Sequence, residues 1–267
     1  MSSEKFAQNI RIKTLEMVYK AKASHIGGAL SMVDLLAVLY SKILQFDPAE
    51  PKWKERDRFL LSKGHACTSL YATLALSGFF DISELDSYAQ DGSILLAHAS
   101  HKVPGIELST GSLGHALSVG CGMSIAAKRK NEKHRIFVIL SDGELDEGSN
   151  WEAFLFAPNN KLDNLTVIID YNKIQSLGNV KDVLDLEPLS SKLRAFNWEI
   201  IEIEGHNHEQ IFNALSTLPK QKEKPTAIIA HTIKGKGVDF MENKLLWHYK
   251  SPNKDELENA LKQIEEK

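Results

Sequence analysis

The sequence predicts an α/β fold built around a mainly parallel sheet. Two apolar runs, residues 136–140 and 165–169, have the length and composition of strands that are buried on both faces. Between them, Ser149 and Glu152 have the spacing of a capping box that opens a helix. A strand, a helix and a strand of this length form a right-handed crossover with parallel strands. The chain, residues 1–267, is long enough for one large domain, which we expect it to form.

The segments before this unit alternate between helix and strand. Apolar residues at helical spacing predict an amphipathic helix over residues 4–22, followed by a loop at residues 24–28. Ser31 and Asp34 have the pattern of an N-terminal cap for a second helix. Residues 58–62 predict a short buried strand, and residues 66–76 a helix that follows it.

The segments after it continue the same alternation. Residues 111–130 carry Gly111, Gly114, Gly120 and Gly122, and the resulting thin helix face predicts close packing, including packing against a second subunit. The later predicted elements are a helix at 187–196, a strand at 198–203, a helix ending at 218, a strand at 225–230 and a helix at 254–266.

Polar residues follow both central strands. Asp142 and Gly143 come directly after the first strand, and Asn172 comes just after the second. Because parallel neighbours expose their carboxyl ends at one edge, about 5 Å apart, Asp142 and Asn172 are expected to lie side by side where open α/β sheets bind ligands. Their hard oxygens suit Mg²⁺ or Ca²⁺, with the carbonyl of Ile174 as a third ligand. The alternative is an Asp-Gly turn beside a solvated asparagine.

Composition excludes several classes of function. The net charge of −3 gives no indication of binding to nucleic acid or to an anionic membrane. Cys67 and Cys121 are too few for a disulfide framework, and no apolar run approaches a membrane span. The first residues lack an apolar signal core, so a cytoplasmic enzyme is expected.

Asp142-Gly143 followed by Asn172 resembles the thiamine-diphosphate motif of enzymes that use that cofactor. More specifically, the chain resembles the N-terminal part of transketolase, and the match covers nearly its whole length. Five motifs occur in the family's order: Ser24-His25-Ile26-Gly27-Gly28, residues 57–66, residues 105–114, residues 142–148 and residues 235–242.

The resemblance implies a three-layer α/β/α fold, the diphosphate-binding domain of thiamine-diphosphate enzymes. It implies that Asp142, Asn172 and Ile174 carry Mg²⁺ or Ca²⁺ and, through the ion, the cofactor's diphosphate. The other cofactor contacts that it implies involve Gly111 and Leu113 at the aminopyrimidine, His65 at the diphosphate, and His248. Gly143 is expected to let the diphosphate approach the backbone.

The resemblance also implies the catalytic residues. His25, His98 and His248 line the reaction cleft together with His65. Glu147 and Glu152 resemble the acidic residues that link paired active sites across the family's interface. The alternative for these two glutamates is a structural role at the start of a helix. Lys234 and Lys236 either meet phosphate or lie in a solvated loop.

The implied activity is transfer of a two-carbon ketol unit from a ketose or ketose phosphate to an aldose, as in pentose-phosphate carbohydrate metabolism. The family's activating glutamate belongs to a pyrimidine-binding domain that has no counterpart in this sequence. We therefore expect a split transketolase, in which this subunit pairs with a separate C-terminal subunit, two of each in a heterotetramer. The alternatives are a deoxyxylulose-phosphate synthase-like or 2-oxo acid dehydrogenase-like subunit, and a non-catalytic thiamine-diphosphate-binding subunit.

Three positions depart from the family's pattern. Ser141 stands where glycine is usual, Ile26 where proline is usual after the loop histidine, and Tyr249 where glycine follows His248. The last change is expected to reshape the side of the cleft that receives the acceptor sugar.

Overall fold

The computed structural model describes residues 1–266, and a single five-stranded sheet organises them. All neighbouring strands are parallel, in the order β1-β2-β3-β5-β4. The strands are β1 (Arg58–Leu61), β2 (Ile136–Ser141), β3 (Leu165–Tyr171), β4 (Glu199–Glu204) and β5 (Thr226–His231).

Helices cover both faces of this sheet, and within residues 1–266 none is long and apolar enough to cross a bilayer. The α-helices are α1 (Ser3–Ala21), α2 (Ile26–Ser31), α3 (Val33–Val38), α4 (Cys67–Leu76), α5 (Ala116–Arg129), α6 (Gly148–Asn159), α7 (Val180–Val183), α8 (Leu189–Ala195), α9 (His208–Leu215) and α10 (Lys254–Glu265). Short 3₁₀ turns occur at Gly64–Ala66, Ile82–Ser87, Gly143–Asp146 and Leu245–His248, and a π-helical turn at Leu39–Ile43.

The strands bury both of their faces, which explains their continuous apolar sequences. Within β2, Phe137 and Ile139 pack into a core with α1 to α4, α9 and α10, whereas Val138 and Leu140 pack into a second core with α5, α6 and α8. Successive strand side chains point to opposite faces, so one apolar run serves two cores. The predicted three-layer α/β/α arrangement is confirmed.

The strand order explains why the helices divide between the two faces. From β1 to β4 the chain advances across the sheet, and α6 and α8 lie on one face. The chain then reverses from the edge strand β4 to β5, and the connecting helix α9 lies on the other face. Right-handed crossovers require this change of side when the direction reverses.

Two predicted helix starts are wrong, because tertiary partners use the serines concerned. Ser31 is the last residue of α2, and its hydroxyl donates to Gly28 O (2.9 Å) and to Asp170 Oδ2. Helix α6 begins at Gly148 without a side-chain cap, since Ser149 Oγ donates to Gly114 O (2.6 Å) across the fold. A local capping pattern does not reveal a competing acceptor that is distant in the sequence.

The glycine-rich segment is helical only in part. Helix α5 begins at Ala116, so Gly111 and Gly114 lie in the preceding loop, where Gly114 has φ of 81°. Gly120 packs against β2, because a Cβ there would lie 2.9 Å from Val138 Cγ2, while a Cβ at Gly122 would meet nothing within 4 Å. Helix α5 therefore packs closely on the sheet at Gly120, whereas no atom packs against it at Gly122.

Alanine substitutions at Gly120 and Gly122 are expected to have opposite effects on stability. Gly122→Ala should raise the free energy of unfolding by about 0.5–1 kcal/mol, because alanine favours helix and no atom obstructs its methyl group. Gly120→Ala should lower the free energy of unfolding. Overpacking against Val138 costs about 1–3 kcal/mol, which exceeds what alanine gains from its higher helix propensity. Urea unfolding of the two variants measures both values, and equal shifts would contradict the packing at Gly120.

Candidate active site

A cavity of about 230 Å³ lies at the carboxyl ends of the strands. The segments after β1, β2, β3 and β5 all contribute to it, as expected for an open parallel sheet. The lining residues are His25, Gly28, Lys63, His65, His98, Gly111, Leu113, Ser141, Asp142, Gly143, Asn172, Ile174, Gln175, Ser176, Lys234 and His248.

Asp142 and Asn172 line this cavity together, as the matched strand ends predict. In the register of β2 and β3, Ser141 is paired with Asp170, so the two segments leave the sheet at the same level. The Asp142 carboxylate is 1% exposed and accepts hydrogen bonds from the backbone N–H groups of Gly143 (2.7 Å) and Lys173. Burial and the nearby Asp170 carboxylate raise the pKa of Asp142 to about 6.

The carbonyl of Ile174 already faces a cation. The Lys234 ammonium donates to it at 2.9 Å and lies 3.0 Å from His248 Nδ1. Asn172 Oδ1 accepts the Ile174 N–H at 3.1 Å, which fixes the turn after β3. One carboxylate, one amide oxygen and one carbonyl therefore line the same cavity, and this set of hard donors fits Mg²⁺ or Ca²⁺.

A fully buried ion pair supports the base of the cavity. Lys63 is 1% exposed and Asp170 is completely buried, and their side chains are in direct contact. Lys63 Nζ also donates to Gly28 O at 2.9 Å, while the hydroxyls of Ser31 and Thr232 donate to the Asp170 carboxylate. The Lys63 charge and these hydrogen bonds lower the pKa of Asp170 despite its burial. This pair joins β1, α2, β3 and the segment after β5.

Four histidines gather on one side of the cavity. The ring centroid of His25 lies 5.1 Å from those of His65 and His248 and 6.2 Å from that of His98. His25 has φ of 71°, an uncommon backbone conformation for a residue with a side chain, and its N–H donates to His248 O at 2.9 Å. These four side chains come from four separate segments, so the fold assembles the group.

Most of these imidazoles are neutral near pH 7. Burial, together with the neighbouring His98 and Lys234, lowers the pKa of His25 to about 4. Burial and Lys234 lower the pKa of His248 to about 3, and burial and Lys63 hold that of His65 well below its usual range. Neutral imidazoles both accept and donate hydrogen bonds, so they suit the orientation of sugar hydroxyls and proton transfer.

The lowered pKa of His25 predicts a loss of stability in mild acid. Between about pH 6.5 and pH 4 the unfolded chain binds a proton at this position and the folded chain does not. The contribution of His25 to the free energy of unfolding therefore falls as the pH drops through that window. Urea unfolding at pH 7 and pH 5 should show a smaller loss for His25→Gln than for the wild type. The exposed His101→Gln is the control; equal losses in wild type and His25→Gln would contradict the prediction.

The loop between residues 111 and 114 is held by a buried carboxylate. Glu144 is completely buried and accepts hydrogen bonds from Gly114 N (2.7 Å), Ser141 N (3.2 Å) and the Ser62 hydroxyl. Gly111 and Leu113, which precede Gly114, line the cavity as predicted. Glu144 thus ties this loop to the ends of β1 and β2.

Gly143 has a packing role in addition to the predicted one. A Cβ at this position would lie only 2.6 Å from the Gln175 Cβ, so the turns after β2 and β3 approach each other through the glycine. Gly143 also lines the cavity, which leaves its backbone accessible to a ligand.

Glu147 and Glu152 are not brought into the cavity. Both are exposed, Glu147 at the N-cap of α6 and Glu152 in its second turn. On the same helix Leu155 and Phe156 are 62% and 45% exposed. The two glutamates therefore lie beside an exposed apolar surface rather than among the cavity histidines.

The structure shows how the three residues that depart from the family's pattern are accommodated. Ser141 is the last residue of β2, so the strand backbone accommodates it. Ile26 is completely buried as the first residue of α2. Tyr249 OH donates to Ser176 O at 2.9 Å, which links the turn after β3 to the segment around His248 at the rim of the cavity.

Lys63 and Asp170 have no role that was predicted from the sequence, and for Lys234 phosphate binding and a solvated loop were both left open. In the structure Lys63 and Lys234 line the cavity, and Asp170 lies directly behind it. Burial and the neighbouring Lys63 lower the pKa of Lys234 to about 8. An aspartate that ends an otherwise apolar strand was the available signal, because a buried charge requires a partner.

Comparisons with known proteins agree with this geometry. The family model described as "Transketolase, thiamine diphosphate binding domain" matches residues 2–265. The chain is 42% identical to an apulose-4-phosphate transketolase subunit of Phocaeicola vulgatus, covering 96% of this chain and 92% of the relative. It is 43% identical to the 6-deoxy-6-sulfo-D-fructose transketolase subunit SqwG of a Clostridium species, covering 91% and 88%.

A solved structure shows the same likeness. The transketolase of Campylobacter jejuni superposes with a TM-score of 0.93 at 32% identity, covering 99% of this chain. The matched region is 43% of that protein, so the chain spans less than half the length of this solved transketolase.

Proposed function

We propose that this chain, which belongs to the family of transketolase thiamine-diphosphate-binding domains, acts as the amino-terminal subunit of a split transketolase. Its residues 1–267 form one cofactor-binding domain, and a separate C-terminal subunit supplies the pyrimidine-binding domain. The observation that carries the proposal is the cavity itself, where Asp142, Asn172 and four histidines meet at the carboxyl edge of the sheet. The match to 92% of a relative that is itself named as a transketolase subunit supports the division into two chains.

The proposed reaction moves a two-carbon ketol unit from a ketose or ketose phosphate to an aldose. Thiamine diphosphate, when bound, supplies the electron sink for breaking and forming the carbon–carbon bond. Two relatives carry names that specify apulose 4-phosphate and 6-deoxy-6-sulfo-D-fructose, which supports a ketose with an anionic group as the donor.

The cofactor would be held by residues from four segments, which follow β1, precede α5, and follow β2 and β3. Asp142, Asn172 and the carbonyl of Ile174 would hold Mg²⁺ or Ca²⁺ and, through it, the diphosphate. His65 after β1 and the backbone at Gly143, next to Asp142, would contact the diphosphate, while backbone groups at Gly111 and Leu113 would contact the aminopyrimidine. The cavity lining supports this assignment because it contains all of these residues.

The histidines act on the sugar. His25, His98 and His248 orient its hydroxyls and relay protons. The neutral imidazoles of His25 and His248, beside a buried lysine, are suited to this role. Lys234, 3.0 Å from His248 Nδ1, adds a positive charge where oxygen atoms of the sugar gain negative charge. His248 would also contact the cofactor, which its position on the side of the cavity shared with His25 and His65 supports.

The partner subunit binds at the exposed surface of α5 and α6. Leu155 and Phe156 are exposed there, and Gly122 leaves open space on α5. In the proposed heterotetramer, with two copies of each subunit, Glu147 and Glu152 on α6 communicate with the partner. Apolar side chains of this size on a surface are typical of protein interfaces.

The test is reconstitution. The purified chain with thiamine diphosphate, Mg²⁺, a ketose phosphate and an aldose should show no ketol transfer, and addition of the C-terminal subunit should restore it. Phe156→Asp should weaken assembly without changing the fold of the isolated chain. Phe212→Asp is the matched control, because Phe212 is 41% exposed on α9, which lies on the other face of the sheet. Robust turnover by the chain alone would defeat the split enzyme, and a cofactor-loaded complex without turnover would favour the non-catalytic alternative.

A further inference from the structure

A second cluster of charged side chains lies outside the cavity. We define the Asp34 cluster as Arg11, Asp34, His206 and His208. Asp34 is 5% exposed and accepts two hydrogen bonds from Arg11 (3.0 and 2.6 Å), one from His206 Nδ1 (2.7 Å) and one from His208 Nε2 (3.0 Å). These residues come from α1, α3, the turn after β4 and the start of α9.

His206 connects this cluster to the segment that carries Lys234. The backbone N–H of Ile233 donates to His206 Nε2 at 2.8 Å. The adjacent glycine makes this approach possible, because a Cβ at Gly205 would lie 2.4 Å from Thr232 Cγ2. The turn after β4 is therefore packed directly against residues 232–234 at the end of β5.

The two hydrogen bonds of His206 fix its protonation. Nε2 must be unprotonated, because it accepts the N–H of Ile233. The ring proton must then be on Nδ1, where it is donated to Asp34. Arg11 keeps the Asp34 carboxylate ionised through a bidentate pair of hydrogen bonds. The carboxylate therefore remains an acceptor for the Nδ1 proton of His206.

The residue after Ile233 is the buried lysine of the cavity. Lys234 is 2% exposed, and its ammonium contacts Ile174 O and His248 Nδ1. Its own backbone is held at a second point, where Asn243 N donates to Lys234 O at 2.9 Å. Hydrogen bonds at the N–H of Ile233 and at the carbonyl of Lys234 thus hold the backbone on both sides of the Lys234 side chain.

We propose that His206, held by Asp34, is a positioning residue that aims Lys234 into the cavity through the backbone N–H of Ile233. This inference rests on the proposed function only for its catalytic consequence; the orientation of Lys234 is a property of the chain. His206 is not among the residues that line the cavity, and its proposed effect passes through the main chain at Ile233.

His208 provides a matched comparison. His208 donates to the same carboxylate at a similar distance. Its charged neighbours are Asp34 and Glu4, and unlike His206 it accepts no hydrogen bond from the backbone of Ile233. Loss of His208 disturbs the Asp34 cluster without removing the bond to Ile233. A general loosening of the cluster would affect both histidine variants equally, whereas positioning of Lys234 requires His206.

The experiment measures the accessibility of the Lys234 amine in the full chain. Wild type, His206→Ala, His206→Gln and His208→Ala are labelled with trace acetic anhydride, and the labelling rate of Lys234 is read by peptide mass spectrometry. The exposed Lys254 serves as internal standard. His206→Ala should raise the Lys234 rate about tenfold, the factor that corresponds to loss of one hydrogen bond. His206→Gln retains an acceptor for Ile233 and should restore most of the protection.

His208→Ala should leave the Lys234 rate within about twofold of the wild type, since the bond to Ile233 remains. An unchanged rate in His206→Ala would overturn the proposal, as would an equal rise in both alanine variants. Ketol transfer by the reconstituted complex is measured separately. If His206→Ala raises the labelling rate of Lys234 but leaves turnover normal, His206 positions Lys234 and Lys234 has no catalytic use. Failure of the positioning role is therefore distinguishable from failure of the catalytic role proposed for Lys234.

Discussion

Lys63→Met is expected to lower the free energy of unfolding by about 3–5 kcal/mol, because it leaves the Asp170 carboxylate buried without its cation. Both side chains are almost completely buried, so water cannot replace the lost partner. This loss is a large share of the stability of a typical domain, about 5–15 kcal/mol. Urea unfolding of the purified chain measures it.

Two variants test the cause of that loss. Lys161→Met removes a cation from an ion pair whose side chains are 62% and 56% exposed, and it should cost no more than about 1 kcal/mol. The double variant Lys63→Met/Asp170→Leu should recover much of the stability, since apolar replacement of a buried pair is often neutral. A single variant as stable as Lys161→Met, or a double variant less stable than the single one, would contradict this account.

Asp142→Ala is expected to weaken binding of thiamine diphosphate in the presence of Mg²⁺ by at least about 100-fold. Removal of a residue that only supports a metal ligand costs about 10–100-fold, so removal of the proposed ligand should cost more. The alanine also leaves the N–H groups of Gly143 and Lys173 without the carboxylate that they contact. Calorimetric titration of the chain, alone and with its partner subunit, measures the affinity.

Asp163→Ala is the control for this measurement. It removes a carboxylate near the opposite end of β3, where Asp163 pairs with Lys128 outside the cavity lining. Its affinity for the cofactor should remain within about twofold of the wild type, because the change lies at the other edge of the sheet. Wild-type affinity in Asp142→Ala, or binding that does not require a divalent cation, would remove Asp142 from the proposed metal site.

Helix α6 has one side in the hydrophobic core and one side that is exposed. The inner side of α6 packs Ala153, Phe154 and Ala157 into the second core, while Leu155 and Phe156 remain outside. The chain thus carries exposed apolar side chains on α6, and we expect co-expression with the proposed partner subunit to improve its solubility.

Much of the fold was evident in the sequence because its signals are local. Strands buried on both faces are continuous apolar runs, and the turn residues at their ends mark where each strand stops. Parallel pairing then places Asp142 beside Asn172 without further information, and the structure confirms that both residues line one cavity. Their roles as metal ligands, and those of the histidines and glutamates, remain predictions.

The tertiary structure decided what depends on partners distant in the sequence. Ser31 and Ser149 have the local pattern of helix caps, but Asp170 and Gly114 compete for their hydroxyls. Nothing in the sequence shows that Lys63 and Lys234 are buried, and only folding removes them from water and places them beside a carboxylate and carbonyls. A hydrophobic period can be recognised within one segment, whereas a buried polar contact is specified only when two segments meet. For that reason the sequence by itself determined the sheet and its matched strand ends, and only the tertiary structure determined the burial of the two lysines and the assembly of the Asp34 cluster.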